Sequence, residues 1–225
     1  MSGTRFSDRA AAGRELARRL AERHHPDPVV YALPRGGLPV AVQVARALSA
    51  PLDLVLVRKL GAPGQPELAI GAVVDGETPE TVLNEDILRL TGADARYVAA
   101  ARARALEEIA RRRAAWLGGR APIPATGRTA IVVDDGLATG ATARAALHAL
   151  RRQRPARLVL AAPVCAEDAA ASLRAEADEV LCLREGGIPF GVGGCYDDFR
   201  QLDDADVMAL LASLPAPGSG PAPAA

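Results

Sequence analysis

The chain has 225 residues, with 27 Lys and Arg against 27 Asp and Glu and 49% apolar side chains. That length fits one domain, or one domain with a small elaboration. Balanced charge excludes a global basic field for nucleic acid, and no apolar run approaches a membrane span. The charged, alanine-rich start does not read as a signal peptide. A cytoplasmic protein without nucleic-acid or membrane partners is therefore expected.

Ser7 and Asp8 can cap a first helix running to about His24, with an apolar stripe of Ala12, Leu16, Ala17 and Leu20. Residues 29–33 read as a short buried strand. Pro34-Arg35-Gly36-Gly37 is a loop, and residues 38–48 form an amphipathic helix with Pro39 tolerated in its first turn. Residues 52–57 read as a second strand, ending at Arg58-Lys59. Residues 61–67, rich in Gly and Pro, read as a mobile loop. Residues 68–74 and 80–83 can pair as strands around Asp75-Gly76.

Residues 85–91 form a short helix and 94–117 a long one. The long helix alternates arginines with Glu107 and Glu108, the pattern of a solvated, ion-paired face. A strand at 130–133, a helix at 140–153, a strand at 157–163, a helix at 166–175 and a strand at 179–183 follow. Continuous apolar strands separated by helices predict an α/β fold: a doubly wound, mostly parallel sheet with helices on both faces. Residues 214–225 contain only Leu, Pro, Ala, Gly and Ser, and disorder is expected there.

The densest chemistry lies in Ile131-Val132-Val133-Asp134-Asp135-Gly136-Leu137-Ala138-Thr139-Gly140-Ala141-Thr142. A buried strand ends in two carboxylates, which can accept hydrogen bonds from neighbouring ribose hydroxyls. A small-residue loop then opens a helix whose N-terminal amides and partial positive charge suit a phosphate. A P-loop reading fails for want of Gly-Lys-Ser/Thr, and a dinucleotide fingerprint for want of its glycine spacing. The bland alternative is a strand-to-helix turn whose acids only cap the helix.

This segment resembles the phosphoribosyl-pyrophosphate (PRPP) signature of type I phosphoribosyltransferases, with Gly136 where that family more often has an aliphatic residue. The likeness is closest to the purine type and covers about residues 10–200. It implies one phosphoribosyltransferase domain over residues 1–213, with a core at about 10–185 and a C-terminal hood at about 184–202. It also implies Mg²⁺ dependence and a homodimer. By the same likeness Asp134 and Asp135 orient the ribose, and Gly136, Ala138, Thr139, Gly140, Ala141 and Thr142 hold the 5′-phosphate. Handling a proton of the incoming base is a further role that the likeness implies for Asp135.

Arg35, Gly36 and Gly37 match the family's pyrophosphate loop, often entered through a cis peptide. Arg58 and Lys59, the latter the only lysine of the chain, match an Arg-Lys pair that serves the leaving pyrophosphate. Ligands of such sheets bind off the carboxyl ends of the strands, so these residues are expected to converge with the acid pair, beneath a lid formed by residues 61–67. Residues 190–200 are similar to the base-covering hood, with Phe190 and Val192 as base contacts and Asp198 as a metal candidate; otherwise the metal is held through PRPP and water. A small aromatic cluster sealing the sheet edge is the alternative there. The implied reaction is 5-phosphoribosyl transfer from PRPP to a small-molecule acceptor, a nitrogenous base, with pyrophosphate release. A non-catalytic PRPP-binding regulatory domain and a sugar-phosphate hydrolase are the other readings. Cys165, Cys182 and Cys195 lack metal-ligand spacing, and reduced thiols are expected.

Overall fold

The structure is a computed structural model that describes residues 5–76, 79–188 and 190–214. Of the tail expected to be disordered, residues 215–225 lie outside the described residues. The chain divides into two compact units, one of Met1–Leu54 with Ile123–Ala225 and the other of Val55–Pro122. The domain expected over residues 1–213 thus takes in both.

The first unit is built on a five-stranded sheet of β1 (Pro28–Ala32), β2 (Leu52–Leu54), β6 (Thr129–Val133), β7 (Arg157–Cys165) and β8 (Glu179–Glu185). The strands lie in the order β2-β1-β6-β7-β8, and every pairing is parallel. The central strands carry no polar alternation because both faces are covered: Val29, Val30, Ile131, Val132, Leu158 and Leu160 are fully buried. Helix α2 (Gly37–Ala47) joins β1 to β2, α5 (Ala141–Arg152) joins β6 to β7, and α6 (Glu167–Leu173) joins β7 to β8. The chain winds outward in opposite directions from β1 and from β6, so right-handed crossovers place α2 on one face and α5 and α6 on the other. This is the expected α/β architecture. Helix α1 (Arg9–Ala21) starts at Asp8, whose carboxylate accepts from the Ala11 amide at 2.6 Å.

The second unit holds an antiparallel sheet of β3 (Val57–Ala62), β4 (Gln65–Val74) and β5 (Glu80–Leu83), together with α3 (Glu85–Thr91) and α4 (Ala95–Leu117). Two expectations are corrected here. Strand β2 ends at Leu54, so Arg58 and Lys59 lie inside β3 rather than at the tip of the second parallel strand. Residues 61–67 are not a structureless loop: β3 and β4 form a hairpin that turns at Gly64, with φ of 70°. Composition marks Gly and Pro as breakers, but a hairpin needs only one residue at positive φ, and the flanking ladder overrides the rest. The arginine face of α4 is ion-paired as expected, Arg111 and Arg112 both bonding Glu108.

Asp75 anchors this unit. Its side chain is 5% exposed and accepts from the Leu56 amide at 2.7 Å and from Arg113 at 2.6 Å. Removing one partner of a buried ion pair costs about 3–5 kcal/mol. Asp75→Ala is therefore expected to destabilise this unit by several kcal/mol, read as faster hydrogen exchange at the β4 amides; unchanged protection would contradict it.

Two further features escape the sequence patterns. Helix α7 (Asp204–Ala212) follows the hood segment and is started by a reciprocal capping box of Asp203 and Asp206. Cys165 and Cys182 form a disulfide with Cα atoms 6.3 Å apart, correcting the expectation of reduced thiols for this pair, while Cys195 is free. The two cysteines lie on neighbouring strands, β7 and β8, a proximity that no sequence spacing signals. Among the described residues no helix is long and apolar enough to cross a membrane.

Candidate functional site

The strand order reverses between β1 and β6, so the loops leaving their carboxyl ends emerge side by side. Ala32 stands opposite Val133 in register, and the Leu33 amide bonds the Val133 carbonyl at 2.9 Å. One loop is Pro34-Arg35-Gly36-Gly37, entered through a cis peptide between Pro34 and Arg35. The other begins at Asp134 and Asp135.

These loops touch, and the glycines are what permit it. A Cβ on Gly36 would stand 2.6 Å from the Asp135 Cγ and closer still to Oδ2. A Cβ on Gly37 would stand 2.7 Å from the Val133 carbonyl oxygen and 2.9 Å from the Asp134 Cα. The glycine pair and the acid pair therefore form one contiguous surface.

Leu137, 2% exposed, plugs the acidic loop into the sheet. Its amide donates to the Val164 carbonyl at 2.9 Å, and its carbonyl accepts from the Ala166 amide at 2.8 Å. Ala138, Thr139 and Ala141 remain exposed. Gly140, with φ of 69°, starts α5 and has no side chain to cap it, and the Ala141 amide makes one long bond, 3.4 Å, to the Thr139 hydroxyl. The first-turn amides of a helix have no acceptor within it, so the loop presents donors and the positive end of the helix dipole to solvent.

Burial pushes the Asp134 carboxyl well above its ordinary range, and the neighbouring Asp135 charge pushes it further. Burial also raises Asp135, against the pull of the Arg9 guanidinium. Arg9 Nε meets Asp135 Oδ2 at 2.9 Å, with both side chains largely buried. The Tyr196 hydroxyl donates to the Asp135 carbonyl at 2.6 Å; burial and Asp135 hold that phenol well above its usual value, so it keeps its proton.

The hood segment includes a short 3₁₀ turn, Val192–Cys195. Val192 lies directly over Gly136: a Cβ there would stand 2.5 Å from one Val192 methyl and 2.7 Å from a Val164 methyl. Hood valine thus fills the space that an aliphatic residue at position 136 would take. Of the three hood aromatics, Tyr196 and Phe199 stack with each other at 5.2 Å, and Tyr196 lies 5.8 Å from Phe6. Those two serve packing, as the alternative reading held. Phe190 is 83% exposed.

Arg35 turns toward the C-terminal segment, donating to the Leu202 carbonyl and pairing with Asp204, both at 2.9 Å. Arg58 pairs with Glu108 at 3.4 Å within the second unit, and Lys59 is exposed on β3. Asp198 accepts from the Arg200 amide at 3.1 Å. Among the described residues no group of three or more His, Cys, Asp or Glu is gathered as a metal cage. Arg9 carries no local motif, and the hood likeness of the segment holding Tyr196 and Leu202 does not name their partners; the three partners lie 126, 61 and 167 positions away along the chain. Asp204, the partner of Arg35, is equally remote from the loop it reaches.

Residues 7–199 match the phosphoribosyl transferase domain family. The chain belongs to that family. The chain is 48% identical over 206 residues to a protein provisionally named a phosphoribosyl transferase in two strains of Mycobacterium tuberculosis. That match takes in 92% of this chain but 46% of the mycobacterial proteins, so the chain spans about half their length. Among solved structures, TT1426 from Thermus thermophilus is similar with a TM-score of 0.78 and 44% identity, over 92% of this chain and 98% of that one.

Proposed function

We propose that the phosphoribosyl transferase domain binds PRPP at the β1/β6 switch point and transfers its 5-phosphoribosyl group to a nitrogenous base, releasing pyrophosphate. The observation that carries this reading is the acid pair packed on the Gly36-Gly37 loop at one end and running into a helix start whose first residue, Gly140, has no side chain at the other. A phosphorylated, 1-activated ribose has its anionic groups at its two ends and its hydroxyls between.

In this reading the amides of residues 138–142 and the hydroxyls of Thr139 and Thr142 hold the 5′-phosphate. Asp134 and Asp135 accept from the ribose hydroxyls and face the positive charge that grows on the sugar as its bond to pyrophosphate breaks. Asp135 has one oxygen on Arg9, leaving the other for ribose or for a proton of the incoming base. Gly36 and Gly37 let pyrophosphate approach the backbone. Arg35 must exchange Asp204 for pyrophosphate to contact it directly. Arg58 and Lys59 are assigned to the leaving group by the family likeness alone. Exposed Phe190 and half-buried Val192 are assigned to the base.

Carboxylates able to anchor water suit a hard cation held chiefly by substrate oxygens and water, with Asp198 as the side-chain candidate. Bound Mg²⁺ supplies charge neutralisation at pyrophosphate. Pairing of subunits belongs to this reading as well.

The test is calorimetry with PRPP and Mg²⁺, followed by pyrophosphate release with a panel of purine and pyrimidine bases. Uptake with release supports transfer. Uptake without release for any base supports the regulatory reading, and no uptake overturns both. The acid pair adds a sign. Its folded-state pKa values lie above those of the unfolded chain, so the apo fold binds extra protons, and this contribution to stability is lost as pH rises through the raised values. Ribose hydroxyls donate to the ionised form. PRPP uptake is therefore expected to release protons and to tighten as pH rises through the raised values of the acid pair. Measured heats should vary with buffer ionisation enthalpy; buffer-independent heats would contradict the expectation.

A further inference from the structure

Arg9 stands outside every motif of the chain, yet it is 8% exposed and engaged on every side. It is the first residue of α1. Its Nε bonds Asp135 Oδ2 at 2.9 Å, its Nη1 donates to the Arg200 carbonyl at 3.0 Å, and its guanidinium lies 3.7 Å from the Phe199 ring centre. We propose that Arg9 is a positioning residue: through Asp135 it aims the acid pair at the ribose, and through Arg200 and Phe199 it fixes the hood segment to the same point.

Chemistry of the neighbours supports this. Asp135 is faced by Asp134 from its own loop, by Arg9 from α1, by Gly36 from the loop after β1, and by Tyr196 from the hood segment. Arg9 is the cation of that set. Two adjacent, buried carboxylates repel; burial and that repulsion raise the pair, and the Arg9 guanidinium pulls both acids back toward their charged forms. The planar fork fixes direction as well as charge: one edge holds the carboxylate, another reaches the Arg200 carbonyl, and the flat face covers Phe199. Tyr196 pins the backbone of Asp135 while Arg9 pins its side chain, so the remaining oxygen points where these two contacts leave it. The arrangement joins residues 9, 135 and 200, distant in sequence, at the edge of the sheet assigned to the sugar.

The inference rests on the PRPP reading, and its test separates the two. Affinities for Mg²⁺-PRPP and for inorganic phosphate are measured by calorimetry on the wild-type chain, Arg9→Met and Arg9→Lys, with melting temperatures alongside. Inorganic phosphate probes the amide cradle, which does not require the acid pair. The expected result is a loss of at least about tenfold in PRPP affinity for Arg9→Met, unchanged phosphate affinity, and partial recovery in Arg9→Lys, which keeps the charge and loses the fork. Equal losses for both ligands mean a general structural role and overturn the proposal. So does undiminished PRPP affinity in Arg9→Met. Should Arg9→Met fail to fold, Arg9→Lys carries the same comparison, with a smaller but still PRPP-selective loss required. A wild-type chain that is folded yet takes up no PRPP overturns the functional reading itself, whereas wild-type uptake with an indifferent Arg9 overturns only this one.

Discussion

Asp135→Asn is expected to reduce PRPP-dependent pyrophosphate release by at least about 10²-fold and to destabilise the fold by about 1–3 kcal/mol. The activity loss has two causes. Asn cannot take the proton of an incoming base, and it offers the ribose and the developing positive charge a neutral carbonyl in place of an anion. The stability loss comes from Arg9. Its side chain is 9% exposed and meets Asp135 Oδ2 at 2.9 Å, so the substitution leaves a buried guanidinium without its anion. Two effects soften that loss. The amide oxygen of Asn still accepts a hydrogen bond, and relief of the repulsion from Asp134 favours the variant. The fold therefore survives, at a lower melting temperature. Turnover close to wild type would remove Asp135 from the proposed mechanism, and an unchanged melting temperature would show that the Arg9 contact has little energetic weight.

Gly36→Ala is a single-methyl change expected to damage the site. The added Cβ would stand 2.6 Å from the Asp135 Cγ, inside van der Waals contact. A flexible carboxylate on the surface would simply rotate away. Asp135 is restrained, because Arg9 holds its Oδ2 and Tyr196 holds its carbonyl. Either the acid pair shifts off its position or the loop after β1 lifts away from β6. Over-packing of this kind costs about 1–3 kcal/mol, and a displaced acid pair loses PRPP affinity by about tenfold or more. Gly187→Ala is the control, since a Cβ there meets nothing within 4 Å. It should match wild type in both measurements. Equal behaviour of the two variants would mean that the loops are not packed as described.

The contrast between these glycines illustrates how far the primary structure could be read. The buried strand at 129–133, the twin acids and the small-residue loop form a local pattern: side-chain volume and backbone freedom decide it within a dozen residues. The same holds for α1, which begins where Asp8 can cap it, and for α3, expected at residues 85–91 and found there with Asn84 as its cap. Gly36 was legible as a residue that admits an anion. Its second role, admitting Asp135, depends on β1 and β6 being neighbours, and strand order is not a local property.

Elsewhere local signals misled. Gly and Pro at 61–67 suggested a mobile loop, yet β3 and β4 pair through that stretch with irregular register between Leu60 and Ala62. Hydrogen bonding between strands outweighs weak residue preferences when a partner is in place. The same hairpin moved Arg58 and Lys59 off the end of β2 and onto β3 of a separate sheet. Helix α7 has its signal, Asp203 three residues before Asp206 with Val207, Leu210 and Leu211 at helical spacing, in the stretch between the hood and the tail for which no element was expected.

What the sequence determined by itself is the parallel α/β class and the acid-loop-helix unit, because each shows in a pattern of residues close along the chain: continuous apolar strands alternating with helices, and a strand that runs through two acids and small residues into a helix. The disulfide of Cys165 and Cys182, the seating of Val192 over Gly136 and the hold of Arg9 on Asp135 were decided only in three dimensions. Each joins groups whose proximity follows from the order of strands in a sheet, and that order is fixed by packing the whole core rather than by any segment of it.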